Sequence, residues 1–232
     1  MTDWLSPAEW DAVRLSLRVA LWATLINLPV GIALAYALAR GRFPGRGLLN
    51  VAVHLPLIMP PVVTGYLLLL GFGARGPIGG FFESSLGLSF AFRWTGAALA
   101  AGVMALPFMV RAVRLSIEAV DPRLEQAAAT LGASRLWVFL TVTFPLIIPG
   151  ILAGTVLTFA KGMGEFGATI TFVSNIPGQT QTIPLAIDLL LETPGGEGRA
   201  ARLAALSIAL AASALALSEW LSRRVAARVG GQ

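Results

Sequence analysis

Lys161 and Glu165 stand four residues apart in the run Lys161-Gly162-Met163-Gly164-Glu165-Phe166-Gly167-Ala168-Thr169-Ile170-Thr171-Phe172, whose other side chains carry no charge. Ionisable groups at membrane depth are costly, so they face a bundle interior, a counter-charge or a solute pathway. Two readings are open: an ion pair one turn apart on a helix, or charges beside a gate. Glycines at 162, 164 and 167 weaken a helix and let neighbours come close, which suits a packed, mobile gate. An unpaired Glu165 would repel an anion, so its assigned role is gating or helix pairing rather than ligand contact. Gly164, Gly167, Thr169 and Thr171 join Lys161 and Glu165 as gate candidates. Beyond them, Ser174-Asn175-Ile176-Pro177-Gly178-Gln179-Thr180-Gln181-Thr182 is rich in neutral hydrogen-bond formers. Such groups, Asn175 among them, can pass an oxyanion without trapping it, and they also suit an ordinary exposed turn.

Other chemistry is thinly provided for. His54 is the single histidine and there is no cysteine, so neither a disulfide nor a multi-ligand metal site is expected. No Gly-x-x-x-x-Gly-Lys-Ser/Thr loop occurs, so the chain has no phosphate cradle of its own for ATP. An acid–base pair of His54 and Glu165 fails on placement, because by residue count the two lie near opposite faces of the membrane.

The positioning elements are membrane helices. Of 232 residues, 56% are hydrophobic and 12% charged, too apolar for a soluble domain. About twenty apolar residues cross a bilayer. Five segments meet that length: 19–39, 48–72, 94–117, 146–170 and 203–221. The run 184–192 would cover only about 14 Å as a helix and carries Asp188 and Glu192, so it reads as a short helix at the outer face. Within the second segment, His54-Leu55-Pro56-Leu57-Ile58-Met59-Pro60-Pro61 must break several helical hydrogen bonds, and the freed carbonyls need protein or water. Pro60, Pro61 and Thr64 therefore belong to a kinked helix that either lines a pathway or packs statically. Ser6-Pro7-Ala8-Glu9 reads as a capping box that starts a helix, and the acidic stretch before it is unlike a cleavable signal peptide.

Arginine placement sets the expected orientation. Arg40, Arg42, Arg46, Arg111, Arg114, Arg123, Arg135, Arg223, Arg224 and Arg228 make ten of the seventeen basic residues and fall on one side, marking the cytoplasm. Five spans then leave the N-terminus outside and the C-terminus inside. In a soluble protein the net charge of +5 would suggest nucleic acid, but here its placement matters more than its size and no nucleic-acid partner is expected.

Between the third and fourth spans lies a polar loop, about 121–145. Asp121-Pro122 is an N-cap with proline in the first turn, and the Ala-rich run to Leu131 is a good helix former. Gly132 supplies a left-handed stop, and Ser134 caps a second helix from Arg135 to about Phe144 that Pro145 closes. The product is a cytoplasmic helical hairpin. Ala127 and Ala128 are small enough for a partner to approach the backbone, and Trp137 and Phe139 offer apolar anchors.

The stretch Glu125-Gln126-Ala127-Ala128-Ala129-Thr130-Leu131-Gly132, followed by Val142-Thr143-Phe144-Pro145, resembles the EAA loop of ABC importer permeases. That pattern reads Glu-Ala-Ala, three residues, Gly, nine residues, Ile, any residue, Leu-Pro. Gln126 replaces the usual Glu, and the carboxylate stands one place earlier at Glu125. With His54-Leu55-Pro56, Pro60-Pro61-Val62-Val63 and the run Gly164 to Ile183, the likeness extends over the chain and resembles the permeases of molybdate ABC importers. Sulfate permeases share the Gly-Glu-Phe-Gly core, but the Ala-Thr-Ile-Thr-Phe and Asn-Ile-Pro-Gly continuation favours molybdate; tungstate is nearly identical in size and charge.

The resemblance implies a single permease domain over 1–232 in a bacterial inner membrane, working as a homodimer. It further implies two ATPase subunits that carry ATP-Mg, a periplasmic molybdate-binding protein, and no cofactor on this chain. Glu125, Gln126, Ala127, Ala128, Gly132, Trp137 and Pro145 then couple the membrane part to the ATPase. The fold expected is an all-α integral membrane protein of about five transmembrane helices, with the coupling hairpin and a short outer-face helix. An ion-driven secondary transporter is the rival reading, since it too can use broken helices and a buried charge pair.

Overall fold

A computed structural model describes residues 4–229, all in helices and the turns between them. Met1–Asp3 and Gly230–Gln232 lie outside the described residues. So do the side chains of Arg223 and Arg228, two of the arginines expected to mark the cytoplasmic side.

Helix α1 (Pro7–Arg40) begins in the expected capping box: Ser6 Oγ accepts from the Glu9 backbone N–H, and the Glu9 carboxylate accepts from the Ser6 backbone N–H. At 34 residues it runs well beyond the segment 19–39. Buried Glu9 also takes Arg199 Nε at 3.0 Å, tying the start of α1 to the start of the last helix, α11 (Glu197–Val229).

The second span does not form one kinked helix. It is two, α2 (Arg46–Ile58) and α3 (Pro61–Phe72), bent by 117°. Met59 and Pro60 both take extended ψ angles, because a residue before proline is driven out of the helical region and Pro60 and Pro61 come in succession. Among the described residues four helices are thus long and apolar enough to cross, or five if the bent pair is one span. An additional helix, α4 (Pro77–Leu86), occupies what had no assigned structure. Gly76 and Pro77 start it, and left-handed Gly87 ends it.

Helix α5 (Trp94–Ala119) is the central post, packed by α1 on one side and α8 (Phe144–Met163) on another. Its Ala97, Ala98, Ala100 and Ala101 are buried, which lets backbones approach where no hydrophobic drive separates protein from lipid. Val19, Ala23, Met104 and Phe172 fill the layer near one end, and Leu38, Met109, Val113, Ile117 and Ile147 the layer near the other. Helix α11 by contrast leaves Ile208 and Leu215 exposed, as a lipid-facing helix would.

Two more boundaries differ from expectation. The loop after α5 forms α6 (Pro122–Thr130) and α7 (Arg135–Val138), but Pro145 does not close the second helix. A π-helical turn at Phe139–Thr143 leads straight into α8, so helix runs unbroken from Arg135 to Met163. Phe144 N–H donates to Phe139 O, five residues back, and this wider register absorbs the donor that Pro145 lacks. At the far end, the fourth span stops at Met163 instead of reaching Ile170. Residues 164–166 break it, and a short α9 (Gly167–Val173) follows. The expected short helix is present as α10 (Ile183–Glu192), with Ile183, Leu185, Ala186 and Leu190 buried. It docks on α11 and α1, and Ser16 Oγ accepts its first backbone N–H, from Ile183, at 2.7 Å.

Candidate functional site

The elbow 121–145 is built from local caps. Asp121 accepts from Arg123 N–H, and Ser134 Oγ accepts from Trp137 N–H. Gly132, at φ +87°, donates to Ala129 O while Ala133 N–H reaches Ala128 O, the paired bonds of a Schellman stop. Outward from this frame, Gln126, Ala127, Gly132 and Trp137 are exposed, and Ala128 is half-buried. Sequence reasoning missed Leu131 and Leu136, which are 89% and 69% exposed and give the elbow its main apolar surface. Phe139 is not part of it: its ring packs edge-on against Tyr36 at 5.1 Å, turned toward α1. Pro145 is half-buried within the continuous helix.

Glu125 is held by contacts within this chain. Its carboxylate lies 3.1 Å from Arg40 Nε and accepts from Thr143 Oγ1 at 2.7 Å. Arg40 in turn donates through Nη2 to the carbonyls of Ile117 and Val120, 3.0 Å each, satisfying Val120 O and giving Ile117 O, which already accepts from Val120 N–H, a second donor. One arginine therefore fastens the ends of α1 and α5 to the elbow. Nothing local in the sequence signals this, since each contact is long-range.

The gate candidates fall into two neighbouring groups and one outlier. Lys161 Nζ meets Glu165 Oε2 at 2.6 Å, and Glu165 Oε1 accepts from Ala168 N–H at 3.0 Å. Glu165, 2% exposed, thus neutralises the last charged residue of α8 and caps the start of α9, holding the break at 164–166 in one shape. The pair bridges a helix break rather than lying along one helix. Gly164 faces open space, with only Ala160 O, at 3.8 Å, near an added Cβ.

The second group is the contact of α3 with α9. A Cβ on Gly167 would lie 2.7 Å from Pro61 Cβ, and one on Gly65 would lie 2.5 Å from Ala168 O. Thr64 and Thr169 are buried here, and Thr64 Oγ1 has no hydrogen-bond partner among the described residues. Thr171 Oγ1 donates back to Gly167 O, while Pro60 is exposed at the bend. Asn175 stands apart, because its amide donates to Leu185 O and its carbonyl oxygen accepts from Gln181. It fastens the loop 174–182 to α10. Among the described residues no cluster of His, Cys, Asp or Glu could hold a metal ion.

Residues 27–227 match the family model described as binding-protein-dependent transport system inner membrane component. The chain belongs to that family. It is 58% identical over 226 residues to the molybdenum transport system permease protein of Escherichia coli (strain K12), covering 97% of this chain and 99% of that one. Identity to the corresponding Haemophilus influenzae protein is 54% over 222 residues, covering 96% and 97%. A sulfate transport system permease protein of Salmonella typhimurium is 35% identical over 223 residues, covering 95% and 80%. In fold, the permease resembles a bacterial ABC transporter involved in alginate import, with a TM-score of 0.73 at 19% identity over 94% of this chain and 80% of that one. It is a multi-pass inner-membrane subunit of an ABC importer.

Proposed function

We propose that this permease, as a homodimer, forms the pathway by which molybdate crosses the inner membrane, driven by ATP hydrolysed on separate ATPase subunits. The observation that carries the reading is 58% identity across nearly the whole length of a molybdenum permease. The elbow adds to it: a cluster of exposed Leu131, Leu136 and Trp137 beside small Ala127 has the makings of a docking surface rather than a solvated turn. The arginine distribution supports a reading in which this elbow and the C-terminus face the cytoplasm and the N-terminus the outside.

The continuous helix from Arg135 to Met163 supplies the lever. An ATPase that pulls the elbow moves one end of a rod about 44 Å long, by 1.5 Å per residue, whose other end is the break at 164–166. Arg40 and Glu125 pass the same motion to α1 and α5. Closure of the ATPase dimer draws two elbows together and opens the outer mouth around α9, where a periplasmic binding protein delivers the anion. Relaxation after hydrolysis releases it inward. Glu165, held by Lys161 and Ala168, repositions α9 without presenting a bare negative charge to the cargo. No cofactor is needed on this chain, because ATP-Mg acts on the partner.

The test is reconstitution of the permease with its ATPase and binding protein in proteoliposomes. Molybdate uptake should require ATP and all three components, with tungstate competing and sulfate competing far less. Transport by the permease alone under an ion gradient would overturn the reading in favour of a secondary transporter. Equal uptake of sulfate would move the cargo to the sulfate class.

A further inference from the structure

The outer end of the α1/α5 seam holds an apolar groove and a polar pocket that share Trp94 and Thr95. The groove, of about 320 Å³, is walled by Trp22, Ile26, Leu99, Val103 and Leu106. Its polar neighbours are already engaged: Asn27 Nδ2 donates to Gly102 O at 2.8 Å and Thr95 Oγ1 to Ser89 O at 3.0 Å. Only apolar matter gains by filling it. The pocket of about 560 Å³ at its mouth is bordered by Arg18 and Arg93, neither of which has an ion-pair partner among the described residues. Arg18 sits over the Trp94 ring, its guanidinium carbon 3.7 Å from the ring centroid. Stacking fixes the plane and leaves the edge N–H groups to face an anion. Arg93 is the residue before α5, whose N-terminus has no side-chain cap, so the field there also favours negative charge.

We infer that this composite site holds one anionic phospholipid, its phosphate headgroup between Arg18 and Arg93 and an acyl chain along the α1/α5 groove. The dimensions agree. From Trp94 to Leu106 α5 rises about 18 Å, close to the roughly 15 Å of one hydrocarbon leaflet. Trp22 and Trp94, with ring centroids 6.4 Å apart, flank the passage from headgroup to chain as interfacial tryptophans do. The assignment to the outer leaflet rests on the orientation proposed above; the match of charge to headgroup and groove to chain does not. Two arginines without an ion-pair partner among the described residues select a headgroup with net negative charge over a zwitterionic one.

Native mass spectrometry of the purified permease–ATPase complex, given equal phosphatidylglycerol and phosphatidylethanolamine, tests this. Phosphatidylglycerol should be retained preferentially. Arg18→Gln and Arg93→Gln should each weaken that preference about fivefold and together about 25-fold, while the two Lys variants keep most of it. Val103→Trp, which fills the groove, should lower retention of either lipid. Complexes that stay monodisperse and hydrolyse ATP normally exclude misfolding as the cause. Equal retention of both lipids, or no response to the arginine changes, overturns the inference. So does displacement of phosphatidylglycerol by an equal concentration of inorganic phosphate, which would mark a plain oxyanion site. Conversion of dimers to monomers by the arginine changes would mark a protein interface and likewise overturn it. Because the readout is bound lipid, failure of molybdate uptake leaves the result standing, and the reverse also holds.

Discussion

Arg40 and Glu125 meet at 3.1 Å, joining the end of α1 to the first turn of the elbow, while the same arginine donates to the carbonyls of Ile117 and Val120. The two partners are unequal. Glu125→Ala removes one charge contact and an acceptor for Thr143, whereas Arg40→Ala also strands the Val120 carbonyl and takes one of two donors from that of Ile117. Arg40→Ala should therefore destabilise more, by roughly 1–3 kcal/mol, and the exchange Arg40→Glu with Glu125→Arg should not rescue it, because a carboxylate cannot donate to carbonyls. Denaturant unfolding in detergent, alongside ATP-dependent uptake, measures both.

Gly132 sits at φ +87° with nothing within 4 Å of an added Cβ, so a substitution there meets conformational strain but no clash. Gly132→Leu should cost about 1–2 kcal/mol locally, leave the protein in the membrane at normal level, and lower uptake per ATP hydrolysed. Gly132→Asn should behave nearly as wild type, since asparagine visits the left-handed region readily. Loss of protein level in both variants, or normal coupling in the Leu variant, contradicts this.

Legibility followed range. The stops and starts at Asp121, Gly132 and Ser134 were visible because each depends on a residue and its next few neighbours. Pro145 misled for a definable reason: proline reads as a helix end, yet a π turn just before it shifts the hydrogen-bond register and lets the helix continue. At Met59-Pro60-Pro61 the break was foreseen and its size was not, since whether an extended pair gives a kink or a 117° bend depends on what α3 packs against, here α9. Helix α4 carried its own signals in Gly76-Pro77 and Gly87, but it is too short to register among membrane spans. Within the candidate site, the Lys161–Glu165 spacing was readable. The capping of Ala168 by Glu165 and the Arg40 clamp are tertiary facts with no local signature.

Lys161 and Glu165 should be more tolerant of joint than of single replacement. Glu165→Ala strands the Lys161 charge and uncaps α9, and Lys161→Met leaves a carboxylate buried without its counter-ion. Each should lower stability by roughly 1–3 kcal/mol. Glu165→Gln combined with Lys161→Met keeps an acceptor for the Ala168 N–H and should recover much of the loss. A double-mutant cycle of Glu165→Gln, Lys161→Met and their combination, read on unfolding midpoints, checks the sign; additivity would show that the two side chains do not interact.

Gly65→Ala should push α3 off α9, because its Cβ would fall 2.5 Å from the Ala168 carbonyl oxygen, a backbone atom that cannot step aside. A loss of about 1–3 kcal/mol and slower uptake are expected. Gly47→Ala, in open space on α2, should be neutral or slightly stabilising. Thermal midpoints of the two variants separate close approach from a general intolerance of glycine replacement.

The natural absence of cysteine allows single-site crosslinking of the elbow in intact membranes. Cysteine placed at Ala127, Leu131 or Leu136 should be captured by the ATPase subunit, with a yield that changes on adding ATP, whereas cysteine at exposed Ile208 on α11 should not. If elbow cysteines in a transporting complex never capture the ATPase, or react only with reagents supplied from the outer side, the elbow is not the coupling surface and the ATP-driven mechanism built on it is wrong.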